Sequence, residues 1–198
     1  MLKNWLVCLA VVLGAIVIGT LVFQDENLKD IKTERENEEK ESILELGVLA
    51  PEFQLTTLGE EKRSLLDYRG RFLLINFWAT WCSACNEEIK YLQKAYQDMD
   101  SEKLSFLTIS LDHNRRALEY FIQKNGYTVP VLYSQQKVID DYRCHIIPAT
   151  YLIDPAGKIV YRKLGFKKGD IAELDRTLKT IVEGKNLIHL STALKQKF

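Results

Sequence analysis

The sequence lacks both a net charge and a basic cluster. Its 27 lysine and arginine residues are balanced by 27 aspartate and glutamate residues, so the formal net charge at pH 7 is zero. Proteins that bind nucleic acid usually present a basic patch or stripe to the phosphate backbone. We therefore expect no nucleic-acid partner.

Cysteine and histidine are also scarce, with four cysteines and three histidines in 198 residues. Cys82 and Cys85 stand three positions apart, but the chain has no second Cys-x-x-Cys and no histidine pair at zinc-finger spacing. A structural zinc site needs four ligands, and a disulfide across so short a loop would stabilise the fold little. The pair therefore indicates thiol-disulfide chemistry, and we expect no metal and no cofactor.

The residues around the pair predict which cysteine reacts. The apolar run Phe72–Trp78 is typical of a strand, and apolar residues at helical spacing in 87–97 predict a helix that the cysteines open. Because free N–H groups at a helix N-terminus favour a thiolate, Cys82 is the expected nucleophile. Cys85 lies one turn further along and can attack a mixed disulfide formed at Cys82.

A long uncharged run occupies the N-terminal region. As a helix, residues 5–23 would span roughly 28 Å, about the hydrocarbon thickness of a bilayer. Lys3 precedes the run, and Asp25 and Glu26 follow it, so the positive-inside bias places the N-terminus in the cytoplasm. We predict a transmembrane anchor over 1–23, with the rest of the chain outside a bacterial cell membrane. A cleaved signal peptide is the alternative, although no small-x-small site follows the run.

Composition divides the remainder of the chain. Residues 24–43 are rich in both charges and contain neither glycine nor proline, which predicts a charged linker. Residues 44–184 alternate strand and helix signals and are the expected globular domain. Residues 185–198 carry few order signals and are expected to form a C-terminal tail.

The alternation within the domain predicts its fold class. A short hairpin is expected within 46–68, ahead of the core, and the turn Asp154-Pro155-Ala156-Gly157 predicts a second hairpin near the end. Alternation followed by a hairpin and a helix indicates an α/β sandwich around a central mixed sheet. Strands are predicted at 72–77, 104–111, 150–153 and 158–161, and helices at 87–97, 115–124 and 171–182.

Three separated motifs resemble those of the thioredoxin fold. More narrowly, they resemble the membrane-anchored, extracytoplasmic thiol-disulfide oxidoreductases of the TlpA and ResA type. The resemblance covers about 46–182 and implies a central mixed sheet flanked by helices, with an N-terminal hairpin and a central insertion at about 115–142. The motifs are Ala50-Pro51-x-Phe53, the run from Leu74 through Trp81-Cys82-x-x-Cys85 to Glu88, and the run from Ile147-Pro148 to Asp154.

The resemblance implies roles for further residues. Pro148 would follow a cis peptide bond, and the backbone beside it at Ile147 would pair with a substrate strand near Trp81. Glu88 would be a buried carboxylate that tunes the cysteines and exchanges a proton with Cys85. From the residues alone, a trans proline and a solvated glutamate remain open.

The resemblance also implies an activity, the reduction of disulfides in exported proteins. Apocytochrome c, whose haem-binding cysteines must be kept reduced, is the implied substrate, and a membrane electron donor would re-reduce the pair. A general or spore-envelope disulfide reductase and a thiol oxidant on the same fold are alternatives. A peroxiredoxin would carry its reactive cysteine in a Thr-x-x-Cys context, whereas Thr80 stands two residues before Cys82. A copper-delivery protein would bind copper through Cys82, Cys85 and His113.

The chain departs from the family pattern at several positions. No proline stands between the cysteines, where Ser83 and Ala84 lie, and Asn76 occupies the place of a buried aspartate in cytoplasmic thioredoxins. Cys144 lies four residues before Pro148 and is predicted to be a buried, inert thiol, with a third redox or metal-binding thiol as the alternative. His145 is predicted to be a surface histidine.

Overall fold

The structure, a computed structural model, describes residues 44–98 and 102–182. The predicted anchor at 1–23 and linker at 24–43 lie outside the described residues, as does the predicted tail at 185–198. Within the described ranges, no helix is long and apolar enough to cross a membrane.

A seven-stranded mixed sheet forms the centre of the domain. Its strands are β1 (Gln54–Thr57), β2 (Lys62–Ser64), β3 (Phe72–Trp78), β4 (Leu104–Ser110), β5 (Val131–Tyr133), β6 (Ala149–Ile153) and β7 (Ile159–Leu164). Their order across the sheet is β2-β1-β5-β4-β3-β6-β7. Strand β3 pairs in parallel with β4 and antiparallel with β6, so it lies inside the sheet. The predicted mixed sheet is confirmed.

Within residues 44–98 and 102–182, four α-helices and one short 3-10 helix accompany the sheet. The helices are α1 (Ser83–Asp98), α2 (Arg115–Asn125), α3 (Gln136–Asp141) and α4 (Asp170–Val182), and the 3-10 helix spans Leu65–Tyr68. Helix α2 has clear end signals. The Asn114 side chain accepts the Ala117 N–H at its start, and Gly126 adopts a left-handed conformation with φ of 65° at its end.

The side chains of β3 alternate between two hydrophobic clusters. Ile75 and Phe77 belong to one cluster, which also contains Tyr142 and Tyr151. Leu74 and Trp78 belong to the other cluster, which contains residues of α1 and α4 such as Ile89, Leu174 and Leu178. Because strand residues alternate between faces, Asn76 points to the same side as Leu74 and Trp78. This alternation brings a polar side chain to the face covered by α1.

The predicted elements are present with small changes in their bounds. Both hairpins form, β1 with β2 and β6 with β7. At the second hairpin, Gly157 has a φ of 89° and donates its N–H to Asp154 O at 2.8 Å. Strand β5 and helix α3 were not predicted. They lie within the predicted insertion and are too short, at three and six residues, to show a clear period.

Candidate active site

The cysteine pair lies between the end of β3 and the first turn of α1. Cys82 and Cys85 form a disulfide. Cys82 is partly exposed, whereas Cys85 has an exposed fraction of 0%. A partner can therefore reach Cys82 but not Cys85, which agrees with the predicted order of attack.

The start of α1 provides hydrogen-bond donors beside the outer sulfur. The Cys85 N–H lies 3.1 Å from Cys82 Sγ, and the Asn86 N–H donates to Cys82 O at 3.1 Å. An N–H directed at a sulfur near a helix N-terminus stabilises its thiolate once the disulfide is opened. This geometry favours Cys82 as the nucleophile.

The segment before β6 approaches the same sulfur. The Ile147–Pro148 peptide bond is cis, as the resemblance implied. Ile147 O lies 3.9 Å from Cys82 Sγ, and Pro148 O accepts the Gly165 N–H from the end of β7 at 2.7 Å. Cys82, Ile147 and Pro148, which are far apart in sequence, thus meet at one place.

Exposed apolar side chains flank this place. Trp81, next to Cys82, is 69% exposed, and Ile146, next to Ile147, is 57% exposed. We call Trp81, Ile146 and Ile147 the apolar rim. Large apolar side chains that stay in water beside a reactive group are typical of a binding surface. His145, next to the rim, is exposed as predicted.

A buried carboxylate lies one helical turn beyond Cys85. Glu88 is 3% exposed. Its carboxylate accepts hydrogen bonds from Asn76 Nδ2 at 2.8 Å and from Thr150 Oγ1 at 3.0 Å. Asn76 Nδ2 also donates to Thr150 Oγ1 at 2.9 Å, so the three side chains form one network. Glu88 is therefore not a solvated helix residue.

The environment of Glu88 changes its proton affinity. Burial raises the pKa of Glu88 from 4.5 to about 7, and the hydrogen bonds from Thr150 and Asn76 oppose this rise. A carboxyl group with a pKa near neutrality can both accept and release a proton under physiological conditions. That a carboxyl group stands one turn from Cys85 agrees with the predicted role, which itself stays a prediction.

A second buried carboxylate, Asp112, was missed from the sequence. It is 8% exposed and accepts the Thr80 N–H at 2.9 Å, the Thr80 hydroxyl at 2.6 Å and the Ser110 hydroxyl at 2.8 Å. Thr80 O in turn accepts Asn86 Nδ2 at 3.0 Å. Asp112 therefore fastens the loop that carries Cys82. A signal existed, because Asp112 closely follows β4, and the carboxyl ends of the parallel strands β3 and β4 lie side by side.

Cys144 lies apart from the cysteine pair, on the other face of the sheet. Cys144 is 3% exposed in the hydrophobic cluster on the other face of the sheet from Cys85, where its thiol lies 3.6 Å from Tyr142 O. Burial raises the pKa of this thiol, as expected for an inert cysteine. His113 is exposed. Across residues 44–98 and 102–182, no three His, Cys, Asp or Glu side chains are grouped so that they could hold a metal ion.

Comparison with protein families gives one matching description. The model of the AhpC/TSA family matches residues 46–162. The matched span contains the cysteine pair, Glu88, Asp112 and the cis proline.

Known relatives carry an explicit activity in their names. The thiol-disulfide oxidoreductase ResA of Bacillus subtilis is 34% identical over 122 residues, which cover 61% of this chain and 68% of that protein. The thiol-disulfide oxidoreductase ResA of Geobacillus kaustophilus is 31% identical over 121 residues, which cover 61% of this chain and 70% of that protein. These names agree with the resemblance carried by the motifs.

A solved structure shows the same architecture. A candidate thiol:disulfide interchange protein DsbE from Chlorobium tepidum superimposes with a TM-score of 0.66 at 21% identity. The match covers 70% of this chain and 99% of that protein. At this identity the likeness establishes the fold, which is thioredoxin-like.

Proposed function

Since this chain belongs to the AhpC/TSA family and is a thiol-disulfide oxidoreductase of the ResA type, we propose that it reduces disulfides in exported proteins. One observation supports Cys82 as the attacking cysteine, namely that Cys82 is partly exposed at the start of α1 whereas Cys85 is buried. The proposed substrate class is a disulfide-containing exported protein, such as apocytochrome c before haem attachment.

The reaction begins at Cys82, the partly exposed cysteine of the reduced pair. The Cys82 thiolate attacks one sulfur of the substrate disulfide, the substrate S–S bond breaks, and the departing substrate sulfur takes up a proton. Cys85 then attacks Cys82 Sγ, so the mixed disulfide breaks and the second substrate thiol is released. Two electrons pass from the pair to the substrate, and the Cys82–Cys85 disulfide remains.

The second step needs a base near Cys85, because the thiolate is the attacking form. Glu88 lies one turn along α1 from Cys85, and its carboxylate is held by Asn76 and Thr150. With its pKa raised by burial to about 7, Glu88 can accept the Cys85 proton as the mixed disulfide is resolved.

The substrate is proposed to bind along the apolar rim. Backbone groups beside Pro148 lie within reach of the reacting sulfur, as the 3.9 Å distance from Ile147 O to Cys82 Sγ indicates. An extended peptide can pair with such a backbone segment while its side chains contact exposed apolar groups. Trp81 and Ile146 provide those groups.

The location and the electron supply are part of the same proposal. The uncharged run at 5–23 supports an anchor over 1–23 in a bacterial cell membrane, with 24–43 as a linker, 44–184 as an extracytoplasmic catalytic domain and 185–198 as a tail. No glutathione pool is expected outside the cell, so a membrane electron donor would re-reduce the pair.

The first experiment is to measure the reduction potential of the full-length chain in detergent, equilibrated against dithiol buffers and followed by tryptophan fluorescence. A value near that of thioredoxin, about −270 mV, is expected for a reductant. A value of about −120 mV, typical of the strong oxidant DsbA, would overturn the proposed direction of electron flow.

The second experiment identifies the substrate by trapping it. Cys85→Ser removes the resolving thiol, so the mixed disulfide at Cys82 should accumulate with an exported protein in membranes of the host. Cys82→Ser is the matched control and should trap nothing. Trapping that is equal in the two variants would rule out Cys82 as the nucleophile.

A further inference from the structure

A charged pair lies next to the Glu88 network, formed by Lys163 on the edge strand β7 and Asp170 at the start of α4. Thr150 Oγ1 donates to Glu88 Oε1 at 3.0 Å, and Thr150 on β6 is the direct cross-strand partner of Lys163 on β7. Side chains of directly opposite residues in an antiparallel pair point to the same face of the sheet. Lys163 therefore stands on the face of the sheet that carries Glu88.

Lys163 does not stand alone. Its Nζ lies 2.9 Å from Asp170 Oδ1, and the two side chains are 28% and 18% exposed. Asp170 is fixed at the start of α4, because its carboxylate accepts the Lys167 N–H and its own N–H donates to Lys167 O, both at 2.8 Å. Charges that are this far withdrawn from solvent are screened less than surface charges.

We propose that Lys163 and Asp170 are opposed positioning residues that adjust the proton affinity of Glu88, and so shift the pH range in which Cys85 resolves a mixed disulfide. The consequence for Cys85 rests on the proposed function of Glu88. The ammonium group of Lys163 favours the carboxylate form of Glu88, whereas the carboxylate of Asp170 favours the protonated form. Because the two charges hold each other in place, removing one leaves the other unopposed.

The electrostatic influences on Glu88 have a clear order. Burial has the largest effect on the pKa of Glu88, followed by the hydrogen bonds from Thr150 and Asn76; Asp170 then raises this pKa and Lys163 lowers it. The pair therefore supplies two opposed charges that act on Glu88, while burial and the hydrogen bonds set the baseline.

Other titratable and polar groups also face Glu88. Cys85 precedes Glu88 on α1, and Tyr161 on β7 interacts electrostatically with Glu173 and Asp170 of α4 as well as with Glu88. From β3 and β6 the polar residues that reach Glu88 are Asn76 and Thr150, which do not titrate.

The test measures the pH at which the Glu88 carboxyl is half protonated, called its midpoint below. The full-length chain is labelled with glutamate carrying ¹³C at the side-chain carboxyl, and the Glu88 signal is assigned by its loss in Glu88→Gln. Its titration is followed in the unsubstituted chain, in Lys163→Met and in Asp170→Asn. The asparagine keeps an oxygen that can accept the Lys167 N–H, so the start of α4 is preserved.

We expect the two variants to move the Glu88 midpoint in opposite directions, upward in Lys163→Met and downward in Asp170→Asn, each by about half a pH unit or more. Lys163→Arg keeps the positive charge and should restore the midpoint of the unsubstituted chain. Lys168→Met removes an exposed lysine that is not among the charges acting on Glu88, and should leave the midpoint in place.

The outcomes separate the two levels of the proposal. Midpoints that stay in place, that move in the same direction in both variants, or that move equally in Lys168→Met would overturn the action of the pair. In chains that keep Cys85, the pH profile of the rate at which a mixed disulfide at Cys82 is resolved and the substrate thiol released should follow the midpoints. If the midpoints move as expected but the release rate does not follow them, the proposed role of Glu88 is overturned, and with it the consequence for Cys85.

Discussion

Two buried carboxylates near the cysteine pair, Glu88 and Asp112, are bonded in different ways. Asp112 accepts a backbone N–H and a hydroxyl from Thr80 and a second hydroxyl from Ser110. Glu88 accepts one amide and one hydroxyl from side chains of the sheet. Asp112 has two of its donors in the loop that carries Cys82 and the third at the end of β4, whereas Glu88 has its donors in strands β3 and β6.

This difference indicates a division of roles. A carboxylate that accepts a backbone N–H and two hydroxyls holds a loop in one conformation, because moving the loop away from the carboxylate leaves several donors unpaired. A buried carboxylate with fewer donors, and with its pKa raised by burial, can change its protonation instead. We expect Asp112 to act on the geometry of the site and Glu88 to act on its protons.

The largest loss of stability should come from removing the carboxylate of Asp112, which holds the loop that carries Cys82. Asp112→Ala leaves the Thr80 N–H and the hydroxyls of Thr80 and Ser110 without their acceptor, which should cost about 2–4 kcal/mol of unfolding free energy in urea. Asp112→Asn keeps one acceptor oxygen and should lose less. A loss below about 0.5 kcal/mol for the alanine variant would contradict the assignment of Asp112 as the group that fastens the loop.

The second prediction concerns how the contribution of Glu88 to stability changes with pH. Because the pKa of Glu88 is raised from 4.5 to about 7 on folding, the folded state binds more protons than the unfolded state between these values. The contribution of Glu88 to the free energy of unfolding should therefore be fully present below pH 4.5. It should fall as the pH rises to about 7, by up to about 3 kcal/mol. Glu88→Gln should abolish that decline. Urea unfolding across this pH range measures it, and an equal decline in the glutamine variant would show that another group is responsible.

A smaller effect should come from one donor to Glu88. Thr150→Val keeps the shape of the side chain but removes the hydroxyl that lies 3.0 Å from Glu88 Oε1. Since this bond lowers the pKa of Glu88, its loss should raise the pKa and should cost about 1–2 kcal/mol where Glu88 is ionised. The cost should be smaller at low pH. A loss that is independent of pH would show that the cost comes from packing or from the lost Asn76–Thr150 hydrogen bond, and not from the ionised Glu88.

The smallest effect should come from a buried group that contacts neither carboxylate. Cys144→Ala removes a sulfur from the other hydrophobic cluster and should cost about 1 kcal/mol of stability through the small cavity it leaves. Disulfide-reductase activity and its pH profile should stay unchanged. A changed profile would show that Cys144 takes part in the chemistry and is not an inert thiol.

Local patterns were sufficient for much of the fold and for the reacting pair. The run Phe72–Trp78, the helical spacing after Cys85 and the turn before Gly157 each encode their element within a few residues. Strand β5 (Val131–Tyr133) could not be found in this way, because its strand character comes from pairing with Thr108–Ser110 of β4 and with β1. Three residues show no reliable period of their own.

Sequence alone identified the cysteine pair and predicted that Cys82 attacks first, because a strand, a turn and a helix N-terminus follow one another directly along the chain. Only the tertiary structure decided what surrounds the pair. Glu88 meets Thr150 across 62 positions, and Thr80 meets Asp112 across 32. Such contacts depend on which strands become neighbours in the sheet, and no short stretch of sequence carries that information.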